Sequence, residues 1–222
     1  NREQWAELAR TAANLNQIAR HLNEGQRGDG ERIGKALGLQ LSAELANCLR
    51  LLVLVRGDES SGKTTLLRLL AGELAPQAGR MALQGGAGVE GNTFWADPRS
   101  GDWDQLTARA WLASLPARYP LWDAAALAAH TEGFTLHEHL DKPFYALSTG
   151  SKRKVLMAGA LASNAPLTLI DEPVGGLDKP SIRYLAQALA SQAARPDRLI
   201  VVAHYETLAD VAWGSVVDLV RC

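Results

Sequence analysis

The residues with the clearest capacity for chemistry run from 57 to 65, GDESSGKTT. Gly57, four intervening residues, Gly62, Lys63 and Thr64 satisfy the pattern G-x-x-x-x-G-K-[ST]. Phosphate oxygens need bare backbone N–H groups at close range, and glycine keeps a Cβ out of the way. The stretch Gly57, Asp58, Glu59, Ser60, Ser61, Gly62, Lys63, Thr64 and Thr65 is therefore the candidate nucleotide-phosphate cradle. Lys63 would neutralise the β and γ phosphates, and the Thr64 hydroxyl would ligate Mg²⁺.

Three further groups have chemical potential. Asp171 and Glu172 close LTLIDE at the carboxyl end of an apolar run, where ligands sit in open α/β sheets. Asp171 suits a metal, and Glu172 suits a general base polarising water. Taken alone, the pair is equally an ordinary strand end with two solvated carboxylates. Ser148 and Gly150, in LSTGS, open a helical stretch, and alone they read as a capped helix. His204, in VVAHYE, alone reads as a packed or capping histidine.

These groups must be positioned by the elements around them. The run LRLLVLV ahead of Gly57 is apolar throughout, as expected of a parallel strand buried on both faces. KTTLLRLLAGELA predicts a helix ending near Gly72, whose N-terminus would face the phosphate. LTLI, RLIVVAH and SVVDLV predict strands, alternating with helices over SIRYLAQALASQAA and ETLADVA. A small β region is expected around GRMALQGG and NTFWA, and helices over WLASLPARY, WDAAALAAH and KRKVLMAGALA. The alternation predicts a parallel α/β sheet.

With 222 residues, 47% of them hydrophobic, the chain can fill a sizeable core. Its formal net charge of −1 gives no overall basic field for nucleic acid, and no direct nucleic-acid partner is expected. The two cysteines form no metal or disulfide pattern, which fits a reducing cytosol. No apolar run approaches the roughly 18 residues of a membrane span.

In this order the motifs resemble the nucleotide-binding subunit of ATP-binding cassette (ABC) transporters over residues 37–222. GDESSGKT is similar to the Walker A loop, LSTGS to the LSGGQ signature and LTLIDEP to Walker B. GGLD, ending at Asp178, is similar to the D-loop, and His204 to the switch histidine. The resemblance implies a P-loop NTPase fold with a RecA-like parallel sheet and a helical subdomain inserted over about residues 100–165. It implies ATP and Mg²⁺ as cofactors, Lys63, Glu172 and His204 as catalytic groups, and Thr64 and Asp171 at the metal. It also implies a homodimer or pseudo-dimer in which Ser148, Gly150 and Asp178 of one subunit complete the site of the other. A membrane-spanning permease would be driven by that dimer, which would place the chain in the cytoplasm at the inner face of the membrane. A non-transport ATPase of the same family, or a binding module with little turnover, stays open as an alternative.

The chain departs from the family pattern at several points. Ser60 stands where a glycine is usual and is tolerable only if its backbone avoids positive φ. Thr149 and Ser151 replace a glycine and a glutamine of the signature. The Q-loop glutamine lacks a clear counterpart, and Asp97 is expected in its place, within reach of Mg²⁺ or water. No Phe, Tyr or Trp falls between Trp5 and Phe94 to stack on adenine, leaving Arg32, a residue outside this fold or no partner, so weak ATP affinity is expected.

Residues 1–25 predict an amphipathic helix, followed by a linker over 26–36. WAELARTAANLNQIARHLNEG resembles the carboxy-terminal helix of the mobilisation-protein C family, which implies a fusion or remnant; a helix packed on the sheet is the alternative. His137, Glu138 and His139 read as solvated surface, Lys152, Arg153 and Lys154 as the outer face of a helix, and Trp95, Trp103, Trp111 and Trp122 as core.

Overall fold

The computed structural model describes residues 52–75, 92–192 and 198–219. The amino-terminal helix and linker, the stretch GRMALQGG, Arg32 and both cysteines lie outside these residues.

Five strands form one sheet in the order β2-β3-β4-β1-β5, every neighbouring pair parallel. They are β1 Leu52–Arg56, β2 Thr93–Phe94, β3 Leu167–Asp171, β4 Leu199–His204 and β5 Ser215–Asp218. In the central strands, successive residues go to opposite cores. Val53, Val55, Leu169, Val201 and Ala203 pack with Leu66, Leu67 and Leu70 of helix α1, Lys63–Leu70. Leu52, Ile170, Ile200 and Val202 pack on the other side with helices α4, Thr149–Ala162, and α5, Lys179–Gln192. Being covered on both faces is why these strands read as unbroken apolar runs.

Helices α2, Ala108–Ser114, and α3, Ala124–Gly133, occupy the predicted helical segment, capped at their N-termini by Thr107 and Asp123. That segment shares one continuous core with the sheet: Trp111, Phe134, Leu136 and Phe144 join Val155, Leu156, Leu161 and Leu185. Trp111 is buried and Trp103 and Trp122 pack against the same cluster, as the core reading expects; Trp95 packs against the other core. His137–His139 form a single 3₁₀ turn, in which His137 pairs with Glu132 and His139 with Lys142.

Two expectations are corrected. NTFWA does not belong to a separate β region, because Thr93 and Phe94 pair parallel to Leu167 and Thr168 as an edge of the main sheet. ETLADVA forms no helix; Asp210 has φ 64, and a left-handed residue in mid-segment interrupts helical hydrogen bonding.

Candidate functional site

The carboxyl ends of β1, β3 and β4 lie side by side, Arg56 opposite His204 and Asp171 opposite Ala203. The loop from Gly57 to Gly62 leaves β1 at this edge and turns into α1. Gly62, the N-cap, has φ 96, a conformation that glycine adopts freely. A Cβ on Gly57 would come within 2.6 Å of the Leu219 carbonyl oxygen, so this glycine is required by packing under the loop. Ser60 has φ 59, so the condition for a strain-free serine at this position is not met. Ser61 is buried beneath the loop, its N–H donating to Asp58 O at 3.2 Å. Its side chain thus packs inward, away from the loop mouth.

The Lys63 ammonium donates to the carbonyls of Gly57, 2.6 Å, and Asp58, 2.9 Å, and lies 3.2 Å from Glu172 Oε1. The other carboxylate oxygen of Glu172 is 2.8 Å from His204 Nδ1. Burial pushes the Glu172 carboxyl up, but the hydrogen bonds and charges of His204 and Lys63 more than offset it and hold it below the usual glutamate range. His204 is 1% exposed, and its Nε2 has no hydrogen-bond partner. Glu172 has φ 45, so the backbone that aims this carboxylate is strained.

Thr64 donates its hydroxyl to Asp171 Oδ2 at 2.8 Å, joining α1 to the end of β3. Asp171 is 4% exposed, and its Oδ1 is buried without a partner. Burial raises its pKa, which the Thr64 hydrogen bond only partly opposes. A hydroxyl beside an orphaned carboxylate oxygen is a donor set suited to a hard divalent cation, which would restore the lost stabilisation of the charge.

A cleft of about 1450 Å³, open to solvent, lies over these groups. Its walls are the loop residues Asp58, Glu59, Ser60 and Gly62, the helix residues Lys63, Thr64 and Thr65, and Glu172, with Arg99 and Tyr205 at the rim. Asp97, expected at the metal, lies near enough for its charge to act on Asp171, and it also closes a turn. Its Oδ1 accepts the Arg99 N–H at 2.9 Å and its carbonyl accepts the Ser100 N–H at 3.0 Å, closing a turn. The side chain from this loop that reaches Thr64 is Arg99, at 3.4 Å. Sequence reasoning passed over Arg99 because it looked for a glutamine-like or acidic group.

Ser148, Gly150 and Asp178 do not line the cleft of their own chain. Ser148 caps α4, accepting the Ser151 N–H at 3.1 Å, as expected. A Cβ on Gly150 would overlap the Gly176 carbonyl, so this glycine lets the GGLD turn lie against α4. Asp178 accepts the Ser181 N–H at 2.8 Å at the start of α5 and pairs with Lys154 at 3.2 Å. Those contacts, the Ser181 hydrogen bonds first, draw its carboxyl down to about 2.

With this geometry in view, likeness to known proteins decides the class. The family model described as ABC transporter matches residues 49–175, more than half of the chain. The chain belongs to the ABC transporter family. A cytochrome c biogenesis ATP-binding export protein CcmA of Pseudomonas fluorescens (strain Pf0-1) is 34% identical over 166 residues, covering 69% of this chain and 76% of that protein. The CcmA protein of Brucella abortus (strain 2308) is 35% identical over 179 residues, covering 78% and 80%. The dimeric structure of a bacterial ABC transporter cassette shares the fold, with 19% identity, a TM-score of 0.63 and coverage of 77% of this chain and 82% of that one. A model described as bacterial mobilisation protein (MobC) matches residues 6–55, in keeping with the resemblance of the amino-terminal stretch. This ABC protein is thus an ATP-binding P-loop ATPase subunit of a transporter, with ATP and Mg²⁺ as its cofactors. Among the described residues no helix is long and apolar enough to cross a membrane.

Proposed function

We propose that this subunit hydrolyses ATP as one half of a head-to-tail dimer and thereby drives a membrane-spanning export partner at the inner face of the membrane. The observation that carries this reading is the Glu172 carboxylate, held between Lys63 and His204 at the floor of the phosphate cleft. In that arrangement Glu172 is charged, oriented by His204 and bound to Lys63, which a triphosphate would draw away. The helix N-terminus and the Lys63 ammonium would hold the phosphates, so Lys63 would leave the carbonyls of Gly57 and Asp58 and its contact with Glu172. Glu172 would then be free to accept a proton from the attacking water, while His204 keeps the carboxylate in place through Nδ1. The unpartnered His204 Nε2 suits a phosphate oxygen. Thr64 and Asp171 would hold Mg²⁺, which when bound offsets phosphate charge.

Ser148, exposed at the N-terminus of α4, is open to a second copy, and Gly150 with Asp178 would position that edge against the partner's nucleotide. The likeness to proteins named ATP-binding export protein supports export as the direction. The test uses Glu172→Gln with Mg²⁺ and ATP. Slowed hydrolysis should accumulate a dimer in sedimentation, and Ser148→Arg added to it should abolish that dimer. A monomer under saturating ATP would refute the head-to-tail reading. Capture of a multi-span membrane protein with the tagged chain is expected; capture of RNA instead would favour the non-transport alternative.

A further inference from the structure

The turn after β2 places one cation at the cleft that the established family motifs do not assign. Asp97 closes this turn through its side chain and its carbonyl, which fixes the backbone of Arg99. The Arg99 side chain is exposed, yet it reaches across to α1, where Nη1 meets Thr64 Oγ1 at 3.4 Å. Five residues further on, Asp104 pairs with Lys152 of α4 at 3.3 Å, so the loop is tied to both α1 and α4.

Lys63 and Arg99 stand differently. The Lys63 ammonium is buried and bonded to two loop carbonyls and to Glu172. Arg99 has a long bond to a neutral hydroxyl that already donates to Asp171. If Thr64 gave its oxygen to Mg²⁺, that oxygen would no longer accept from Arg99, and the guanidinium would be free to turn into the cleft that Arg99, Thr64 and Lys63 line together. A guanidinium matches phosphate with two parallel N–H donors, which a hydroxyl cannot offer it in return.

We propose that Arg99 is a second phosphate-recognising cation of this cleft, closing on the terminal phosphate of ATP and making the site prefer triphosphate to diphosphate. The inference rests on the reading of the cleft as the ATP site. The loss expected on removing Arg99 is confined to the terminal phosphate, because the β phosphate belongs to Lys63 and the helix N-terminus.

Equilibrium binding of a non-hydrolysable ATP analogue and of ADP, each with Mg²⁺, tests it in wild type, Arg99→Ala, Arg99→Lys and Lys63→Ala. Arg99→Ala should bind the triphosphate about tenfold more weakly and ADP within about twofold of wild type. Arg99→Lys should recover part of the triphosphate affinity, and Lys63→Ala should lose both ligands. Wild-type triphosphate affinity in Arg99→Ala, or an equal loss for ADP, would overturn the role of Arg99. Undiminished binding of both ligands by Lys63→Ala would overturn the site reading itself.

Discussion

Strain at single residues marks this cleft. Ser60 and Glu172 both hold left-handed backbone, at φ 59 and 45, where a Cβ costs about 1–2 kcal/mol. At Glu172 the strain aims a carboxylate; at Ser60 no described contact of the side chain requires it. Ser60→Gly should therefore stabilise the fold by about 0.5–1 kcal/mol, after the extra freedom glycine gives the unfolded chain, raising Tm by about 2 °C. An unchanged or lowered Tm would show that the serine is compensated. The sequence named the phosphate loop, Asp171, Glu172 and His204 as candidates because such chemistry needs those types at those spacings, and the structure joins Lys63, Glu172 and His204 and links Thr64 to Asp171. The contact of Arg99 with Thr64 was not legible, since which side chain of one turn reaches α1 depends on a carboxylate closing that turn on the backbone.

Helices α2 to α5 are fixed at their N-termini by a side chain that accepts a backbone N–H of the first turn. Asp178 holds α5 by accepting the Ser181 N–H, and Asp178→Ala should cost about 1 kcal/mol in denaturant unfolding. Because its carboxyl titrates at about 2, below the usual aspartate value, this contribution is present above the unfolded pKa and fades as pH falls through 2.

His130 of α3 gives a larger pH effect. It is 7% exposed, with Nδ1 2.9 Å from the Tyr184 hydroxyl, which itself donates to Ala129 O at 3.1 Å. Burial, then the Arg198 charge, lowers its pKa to about 4 despite Asp123. The unfolded state therefore binds the proton first, and stability should fall as pH drops from about 6.5 towards 4, by up to about 3 kcal/mol. His130→Gln should flatten that slope in thermal unfolding between pH 7 and 4.5; an unaltered slope would place the acid sensitivity elsewhere. Most helices were legible from periodicity and caps. ETLADVA was not, because Asp210 turns into the left-handed region and its companions Leu208 and Val211 are claimed singly by the core.

The described residues build one parallel sheet packed between two apolar cores. Arg198, 3% exposed, donates to the carbonyls of Ala160 and Leu161 at the end of α4 and to Thr168 of β3. It ties the signature helix to the strand that carries Asp171 and Glu172. Arg198→Met should destabilise the protein by about 2 kcal/mol or more, taking the guanidinium from the buried Leu161 carbonyl and leaving Ala160 O with Ser163 Oγ, as read in a denaturant melt. A loss below about 0.5 kcal/mol would mean those carbonyls find other partners. The alternating strand and helix order made the sheet legible. That the helical segment shares the sheet's core was not legible, since which apolar faces meet is decided by packing across about a hundred residues.

In the proposed reaction Glu172 activates water, in the cleft where Lys63 and His204 hold it. Steady-state phosphate release from ATP and Mg²⁺ by folded wild type and Glu172→Gln measures this most directly. We expect wild type to turn over and the variant to fall at least about 100-fold, the scale of a general base. Equal rates in the two proteins would contradict it.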